Sequence, residues 1–156
     1  SINLMTIEHK NITNAELHET KGVSAATTNQ TLHASSGAGT WKFQEFALNL
    51  TIPDIVANQT YYLATPYAGT ITSITSVIDN AFATADCTIT ARIGTTNVTN
   101  GVIIITQSGS AAGDVDTVSP SGANTLTANQ AVNFVVTGSN TTATACTITV
   151  ILRRTA

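Results

Sequence analysis

Charged side chains are scarce in this chain. Of its 156 residues, 10% are Asp, Glu, Lys or Arg, against about 25% in ordinary globular proteins. All three histidines and all three lysines lie within the first 42 residues. Because an enzymatic site needs titratable groups brought close together, the sequence predicts a protein that is not an enzyme and needs no cofactor.

Basic residues and long apolar runs are also scarce. The net charge is −3, and Arg153 and Arg154 form the only adjacent basic pair, so no field exists to displace counterions from a nucleic acid. No apolar run approaches the ~20 residues of a membrane-spanning helix. The first residues do not combine a basic segment with an apolar core, so neither a secretory signal nor membrane association is predicted.

The chain has only two cysteines, Cys87 and Cys146. Both fall on the inward phase of predicted strands, where a free thiol behaves as a small buried hydrophobe. A disulfide is the alternative if the two strands oppose each other across the fold. We expect free thiols because nothing in the sequence indicates an oxidising compartment.

The sequence divides into two unlike parts. In residues 1–13 the apolar positions fit neither the helical nor the strand period, and Gly22 ends the one possible helical turn, which would begin at Ala15. We therefore expect an extended arm with little core of its own, used to dock a partner. Residues 43–156 are rich in Thr, Ser, Asn, Ala and β-branched residues and are large enough to form a buried core.

The second part has the period-two alternation of half-buried strands. Seven or eight short strands, separated by Gly, Asn and Pro, predict an all-β fold: an antiparallel β-sandwich, jelly-roll-like, with the extended N-terminal arm attached. The continuous apolar run at 102–105 predicts a central strand. Mixed faces at 70–78 predict a bulge or a strand buried on both sides. The other predicted strands are 46–52, 60–64, 87–93, a brief one at 115–118, 132–136 and 146–152.

Two groups of residues have side chains of types that bind metals. His9, His18 and His33 do not have zinc-ligand spacing, so polar surface or interface histidines are expected rather than a metal site. Asp114 and Asp116 place two carboxylates on one side of an extended segment, as in some calcium loops. Further oxygen ligands are not evident, so a solvated loop is expected there and no metal is predicted.

One segment in the first part resembles a known family. Its pattern is Leu-His-Glu-x-Lys-Gly, an Ala-rich spacer, then Gly-Ala-Gly and Trp, and it is similar to a segment of small structural proteins in tailed bacteriophages. The resemblance covers about 28 residues, and the second part loosely resembles the β-sandwich modules of phage head decoration and head-fibre proteins. The chain departs from the pattern at residues 31–34, where the family more often has Val-Tyr-Val. The matching residues are Ala15-Glu16-Leu17-His18-Glu19-Thr20-Lys21-Gly22, Ala25-Ala26, Asn29-Gln30, Gly37-Ala38-Gly39 and Thr40-Trp41.

The resemblance implies a structural virion protein. It would be made in the host cytoplasm and would act as a decoration or cement protein on the outer surface of the capsid. Its partners would be the major capsid protein and further copies of itself, with a trimer as the expected oligomer. The candidate capsid-binding residues are Leu17, His18, Glu19, Lys21, Gly22 and Trp41.

The alternative function is a host-surface or carbohydrate-binding module of a phage fibre. Tyr61, Tyr62 and Tyr67 would then form the platform, because aromatic faces stack on sugar rings. So few aromatic residues more often serve core and interface packing, so the decoration role is the first prediction.

Overall fold

The computed structural model describes residues 30–35, 38–56, 58–138 and 141–155. Every regular element in these ranges is a β-strand, and within them no helix could span a membrane. The predicted all-β class is confirmed. The strands are β1 (Gln30–Ser35), β2 (Ala38–Phe43), β3 (Glu45–Ile52), β4 (Gln59–Ala64), β5 (Gly69–Ile78), β6 (Cys87–Ile93), β7 (Thr96–Ile105), β8 (Val115–Val118), β9 (Thr125–Leu126), β10 (Ala131–Thr137) and β11 (Cys146–Arg154).

Two sheets form an antiparallel sandwich. One has the strand order β4-β10-β6-β7, and the other has β3-β11-β5-β8, with β9 paired to β5. The pairs are nested along the chain: β3 with β11, β4 with β10, β5 with β8, and β6 with β7. Eight antiparallel strands that pair in this nested way and divide between two sheets make a jelly roll.

The residues of the core are set by the alternation of buried and exposed side chains along each strand. In β11, Cys146, Ile148, Val150 and Leu152 are buried, whereas Thr147 and Arg153 between and beyond them are exposed. The inward residues of both sheets form one hydrophobic cluster that extends from Ile52 to Leu152 along the chain. The bulge predicted for 70–78 is present, as a register shift between β5 and β11 at Ile151 and Leu152.

The prediction of a central strand at 102–105 was wrong. This segment belongs to β7, which is at the end of its sheet; its strand partner is β6, and Thr99 alone bridges to Gly122. Ile103 and Ile105 are 1% and 2% exposed, but Val102 and Ile104 are 39% and 58% exposed on the other face. A continuous apolar run favours burial on both faces of a strand, but here one face is exposed to solvent.

The end of the predicted arm has regular structure. β1 and β2 pair as an antiparallel hairpin from Gln30↔Phe43 to Ser35↔Ala38 and form a separate two-stranded sheet. The hairpin crosses the predicted boundary at 42, because β2 ends at Phe43 and only Gln44 separates it from β3. Residues 1–29 lie outside the described part of the chain.

One polar group in the core predicts a stabilising substitution. Ser76 is 1% exposed, and among the described residues its Oγ has no hydrogen-bond partner. A buried hydroxyl without a partner costs on the order of 1–3 kcal/mol. Ser76→Ala is therefore expected to raise the free energy of unfolding by about 1 kcal/mol, measured by urea denaturation.

Thr65→Val is the matched control for that substitution. Thr65 is fully buried, but its Oγ1 donates a hydrogen bond to the Gln130 carbonyl oxygen at 2.8 Å. Removing this satisfied hydroxyl is expected to lower stability by about 1 kcal/mol, the opposite sign. If Ser76→Ala lowered stability to the same extent, Ser76 would have to be hydrogen-bonded in solution.

Candidate docking surface at the hairpin end of the sandwich

The hairpin joins the sandwich through a single anchored residue, Gln44. The Arg154 backbone N–H donates to the Gln44 carbonyl oxygen at 2.9 Å, and one Arg154 guanidinium nitrogen lies 3.5 Å from the Gln44 side-chain oxygen. The start of β3 is thereby tied to the end of β11. The hairpin consequently leaves the sandwich at the end where β11 terminates.

An open cleft of about 880 Å³ lies where the hairpin meets the sandwich. Its wall comes from both parts of the chain, since β1 and β2 contribute one side and β3 and β11 the other. The lining mixes apolar, amide and charged side chains: Gln30, Thr31, Lys42, Phe43, Gln44, Glu45, Phe46 and Arg153. A partner segment in this cleft would contact the hairpin and the sandwich together.

The charged groups of the cleft include one ion pair. Arg153 and Glu45 are direct cross-strand partners, and their guanidinium and carboxylate are 2.9 Å apart. Both side chains are about half exposed, at 50% and 45%, so solvent screens the pair and its contribution to stability is below about 1 kcal/mol. Lys42 is exposed in the same cleft.

Aromatic rings lie at the same end of the sandwich. The rings of Phe46 and Tyr67 are 5.0 Å apart between centroids, and the Arg154 guanidinium lies 4.7 Å from the centre of the Tyr67 ring. Phe43 lines the cleft and is 39% exposed. These contacts hold Arg154 and Tyr67 in place, whereas Phe43 presents apolar surface to solvent.

The predicted arm contacts are only partly covered by the structure. Leu17, His18, Glu19, Lys21 and Gly22 lie outside the described residues. Trp41 lies in β2, where its backbone pairs with Leu32, so the last part of the family-like segment, from Ala38 to Trp41, is in a strand. Their role in docking stays a prediction.

The three tyrosines of the alternative prediction do not share one surface of the chain. Tyr61 and Tyr62 are consecutive in β4 and therefore face opposite sides of the sheet. Tyr61 packs against the core, and its hydroxyl lies 3.3 Å from the Asp54 carbonyl oxygen; burial raises its pKa, and the Asp54 charge adds to this. Tyr62 is 65% exposed, and Tyr67 contacts the other sheet through Phe46.

The remaining titratable groups serve the fold. Cys87 and Cys146 are free and buried, and burial raises their thiol pKa to about 11 and about 12, so both stay protonated at neutral pH. Asp114 accepts a hydrogen bond from the Ala111 backbone N–H at 2.6 Å within its own loop. Asp116 lies opposite Ser76 in the sheet.

The outer faces of the two sheets are nearly uncharged. Across the β4-β10-β6-β7 sheet, the outward row runs Thr60, Val135, Thr90 and Val102. Across the other sheet, Thr149 donates to the Asn49 side-chain oxygen at 2.7 Å, and the Thr75 and Thr117 hydroxyls are 3.0 Å apart. Away from Arg92 and the Glu45–Arg153 pair, such faces can contact another protein without desolvating charge.

Sequence reasoning missed the cleft itself. Phe43, Phe46 and Arg154 were not among the predicted contacts, and Arg153 and Arg154 were noted only as too few charges for nucleic acid. The sequence feature that could have indicated the cleft is the only adjacent basic pair, Arg153 and Arg154, which lies next to the last predicted strand. Its pairing with the strand that follows the hairpin became visible only with the register of β3 and β11.

Comparison with solved structures found a chain with a similar fold. A chain of the acidic stable capsid structure of the Helicobacter pylori bacteriophage KHP30 matches with a TM-score of 0.52 and 14% identity, covering 70% of this chain and 86% of that one. The two chains share a fold. No protein-family model matches this chain, and the search of curated proteins found no relative.

Two further solved structures are more distantly similar. A chain of the cyanophage Pam1 capsid asymmetric unit has a TM-score of 0.45 and 12% identity, covering 83% of this chain and 89% of that one. The PRD1 vertex protein P5 also has a TM-score of 0.45, with 9% identity and 96% and 98% coverage. These two similarities are too weak to establish a common fold.

Proposed function

We propose that this chain is a structural protein of a bacteriophage virion that binds the outer face of the head and stabilises it. The observation that carries the proposal is the jelly-roll fold shared with a chain of the KHP30 capsid structure. The similarity of residues 15–41 to tailed-phage structural proteins supports it independently. Such a decoration or cement protein acts by binding and not by catalysis.

The proposed roles of the two parts follow the layout of the chain. Residues 1–42 dock on the major capsid protein, with Leu17, His18, Glu19, Lys21, Gly22 and Trp41 as contacts. The sandwich of residues 43–156 stands on the shell or closes a cluster of subunits. The cleft supports this arrangement because the hairpin and the sandwich meet there in one open surface.

Copies of the chain are proposed to associate with one another, as a trimer on the shell. The outer face of the β4-β10-β6-β7 sheet supports self-association. It exposes Val102, Ile104 and Tyr62 at 39%, 58% and 65%, and Thr residues lie between them. Among the described residues, Arg92 is the one charged side chain on this face, in the same row as Tyr62 and Asn133, so packing the face against a neighbouring copy desolvates little charge.

Binding stabilises a shell when the protein binds the assembled state and not the free capsid subunits. The gain is RT ln(1 + [L]/Kd) for each site, about 2.7 kcal/mol at a hundredfold excess over Kd. Heads that lack this protein are expected to release DNA at a higher temperature after saturation with the purified chain. Dye fluorescence on heating measures the release, and an unchanged release temperature despite binding would contradict a cement role.

A fibre module that binds host glycans is the competing function. Because Tyr61 and Tyr62 face opposite sides of β4, a platform of Tyr61, Tyr62 and Tyr67 on a single chain is not favoured. Failure to bind heads, together with hits on a glycan array, would favour this function over decoration.

A further inference from the structure

The charges of the described residues are sorted to the two ends of the sandwich. One end, the aspartate end, holds five carboxylates and no Lys or Arg: Asp54, Asp79, Asp86, Asp114 and Asp116. The other end, the basic end, holds one carboxylate, Glu45, and four cations: Lys42, Arg92, Arg153 and Arg154. The overall charge of −3 conceals this separation.

The register of the strands places the aspartates together. Cys146 pairs with both Ile52 and Ile78, so the loops that carry Asp54 and Asp79 leave the same edge of one sheet. Asp114 directly precedes β8, which pairs with the end of β5. The Cys87 thiol donates to the Ile55 carbonyl oxygen at 3.5 Å, which brings the start of β6, and Asp86 before it, to this end of the sandwich.

The same register carries the cations to the far end. Strands β6 and β11 both start at the aspartate end and run away from it, so Arg92 near the end of β6 and Arg153 near the end of β11 lie opposite. Arg154 pairs with Gly69 at the start of β5. Lys42 lies in the hairpin and lines the cleft with Arg153.

Loop geometry explains the positions of the aspartates but not their charge. Side-chain oxygens of Asp54, Asp79 and Asp86 accept backbone N–H groups of Thr144, Ala145 and Gln107 at 3.3, 2.8 and 2.8 Å. An asparagine side-chain oxygen accepts the same bonds. Because loop capping does not require a carboxylate, the negative charge of this end is a separate property of the surface.

The cations at the basic end are largely uncompensated. Arg153 pairs with Glu45, Arg92 donates to the Asn97 side-chain oxygen at 2.7 Å, and Arg154 lies over the Tyr67 ring. Asn97 and Tyr67 are neutral, so they hold the two arginines without cancelling their charge. Positive charge therefore exceeds negative charge at the end from which the hairpin emerges.

We propose that the basic end binds a carboxylate-rich protein surface and that the aspartate end points away from it. This rests on the proposed function, in which the hairpin end faces the shell, and it specifies the chemistry of the shell site: acidic side chains around an apolar group. The carboxylates would contact Lys42, Arg92 and Arg154, and the apolar group would cover Phe43. Opposite charges at the two ends also steer the chain so that it approaches in one orientation.

A protein partner fits this end better than a nucleic acid. Proteins that hold nucleic acids make about 6–10 phosphate contacts, and the described part of the basic end has four cations, one of them paired. The exposed Phe43 offers apolar contact area in the same cleft. A few charges around an apolar centre are the usual pattern of a protein interface.

A titration without shells tests the charge preference alone. Hexaglutamate added to the ¹⁵N-labelled full chain at low salt is expected to shift backbone signals near Lys42, Arg92 and Arg154, and hexalysine those near the aspartates. Both sets of shifts should fade in 0.5 M NaCl because salt screens exposed charges. No shifts with millimolar hexaglutamate, or tighter binding of a single-stranded oligonucleotide at 0.15 M NaCl, would overturn the proposal.

Matched charge variants test the proposal on shells. Lys42→Gln/Arg92→Gln and Ala83→Glu/Thr147→Glu both change the net charge by −2, but only the first pair changes the basic end. Ala83 and Thr147 are exposed and lie towards the aspartate end, Ala83 in the loop after β5 and Thr147 opposite Thr51 and Val77. The first variant is expected to bind heads at least about tenfold more weakly and the second about as well as wild type. Equal affinity of both variants would overturn the charge inference and leave head binding intact. If wild type itself failed to bind heads, the proposed function would fail, while the hexaglutamate titration would still decide the charge preference.

Discussion

Phe134→Ala is expected to lower the free energy of unfolding by about 3–5 kcal/mol. Phe134 is 1% exposed and is among the largest fully buried side chains of the described residues. It points inward from β10, with Tyr61 on one side in the sheet and Ala91 on the other. The small Ala91 side chain leaves room for the Phe134 ring. Neither Ala91 nor Tyr61 can therefore fill the cavity that Phe134→Ala would create.

Val135→Ala is the control on the same strand. Val135 is half-buried on the outer face between Thr60 and Thr90, where removing two methyl groups leaves no enclosed cavity. The expected loss is below about 1 kcal/mol, measured for both variants by guanidinium denaturation. Since a domain of this size has a total stability of about 5–15 kcal/mol, Phe134→Ala alone could leave it marginally folded. Equal losses in the two variants would mean that the inward phase of β10 is assigned wrongly.

Gly69→Ala is expected to lower stability by about 1–3 kcal/mol because β5 and β11 approach closely there. A methyl group at Gly69 would lie 2.6 Å from the Arg153 carbonyl oxygen and 2.9 Å from the Leu152 side chain. The carbonyl belongs to the paired backbone of β11 and cannot withdraw without disturbing Arg154, which pairs with Gly69. Backbone signals of Arg154 should therefore shift in the variant.

Gly94 is the control position for Gly69, because its backbone conformation and not a close contact favours glycine there. Its φ is +61°, and a methyl group there would meet nothing within 4 Å. Asparagine tolerates this left-handed conformation, so Gly94→Asn is expected to cost less than about 1 kcal/mol. Gly69→Asn is expected to lower stability more than Gly69→Ala, because the asparagine side chain is larger than a methyl group. If asparagine were tolerated equally at Gly69 and Gly94, the inference that β5 and β11 approach closely at Gly69 would be wrong.

Strand positions could be predicted from the sequence because inward and outward residues differ in polarity. The alternation of Cys146, Ile148 and Val150 with threonines is sufficient to place β11 and its buried face. The same rule failed at Val102 and Ile104, since an apolar residue on an exposed face has no sequence mark that separates it from a buried one. Strand order could not be predicted either, because nested pairing joins residues as distant as Glu45 and Arg153.

The candidate docking surface could not be predicted from the sequence, because it depends on which strands pair. In the sequence, four aspartates of the aspartate end lie beside a strand, Asp116 lies within β8, and each arginine lies near a strand end. Which strand ends meet is a property of the jelly-roll topology, so the separation of charge could not be recognised from the linear order. The hairpin was missed for a related reason: its small polar residues have no apolar alternation, and the pairing from Gln30↔Phe43 to Ser35↔Ala38 defines it instead.

We propose that residues 1–42 attach this chain to a phage head. The most direct test is co-sedimentation with heads that lack the protein, using the full chain and a version without residues 1–41. The core cluster from Ile52 to Leu152 lies wholly outside the deleted segment, so the shortened chain is expected to fold, which thermal denaturation checks. We expect only the full chain to pellet, which would support docking through residues 1–42. Pelleting of both would contradict it by showing that the sandwich alone docks, and pelleting of neither would contradict attachment to the head.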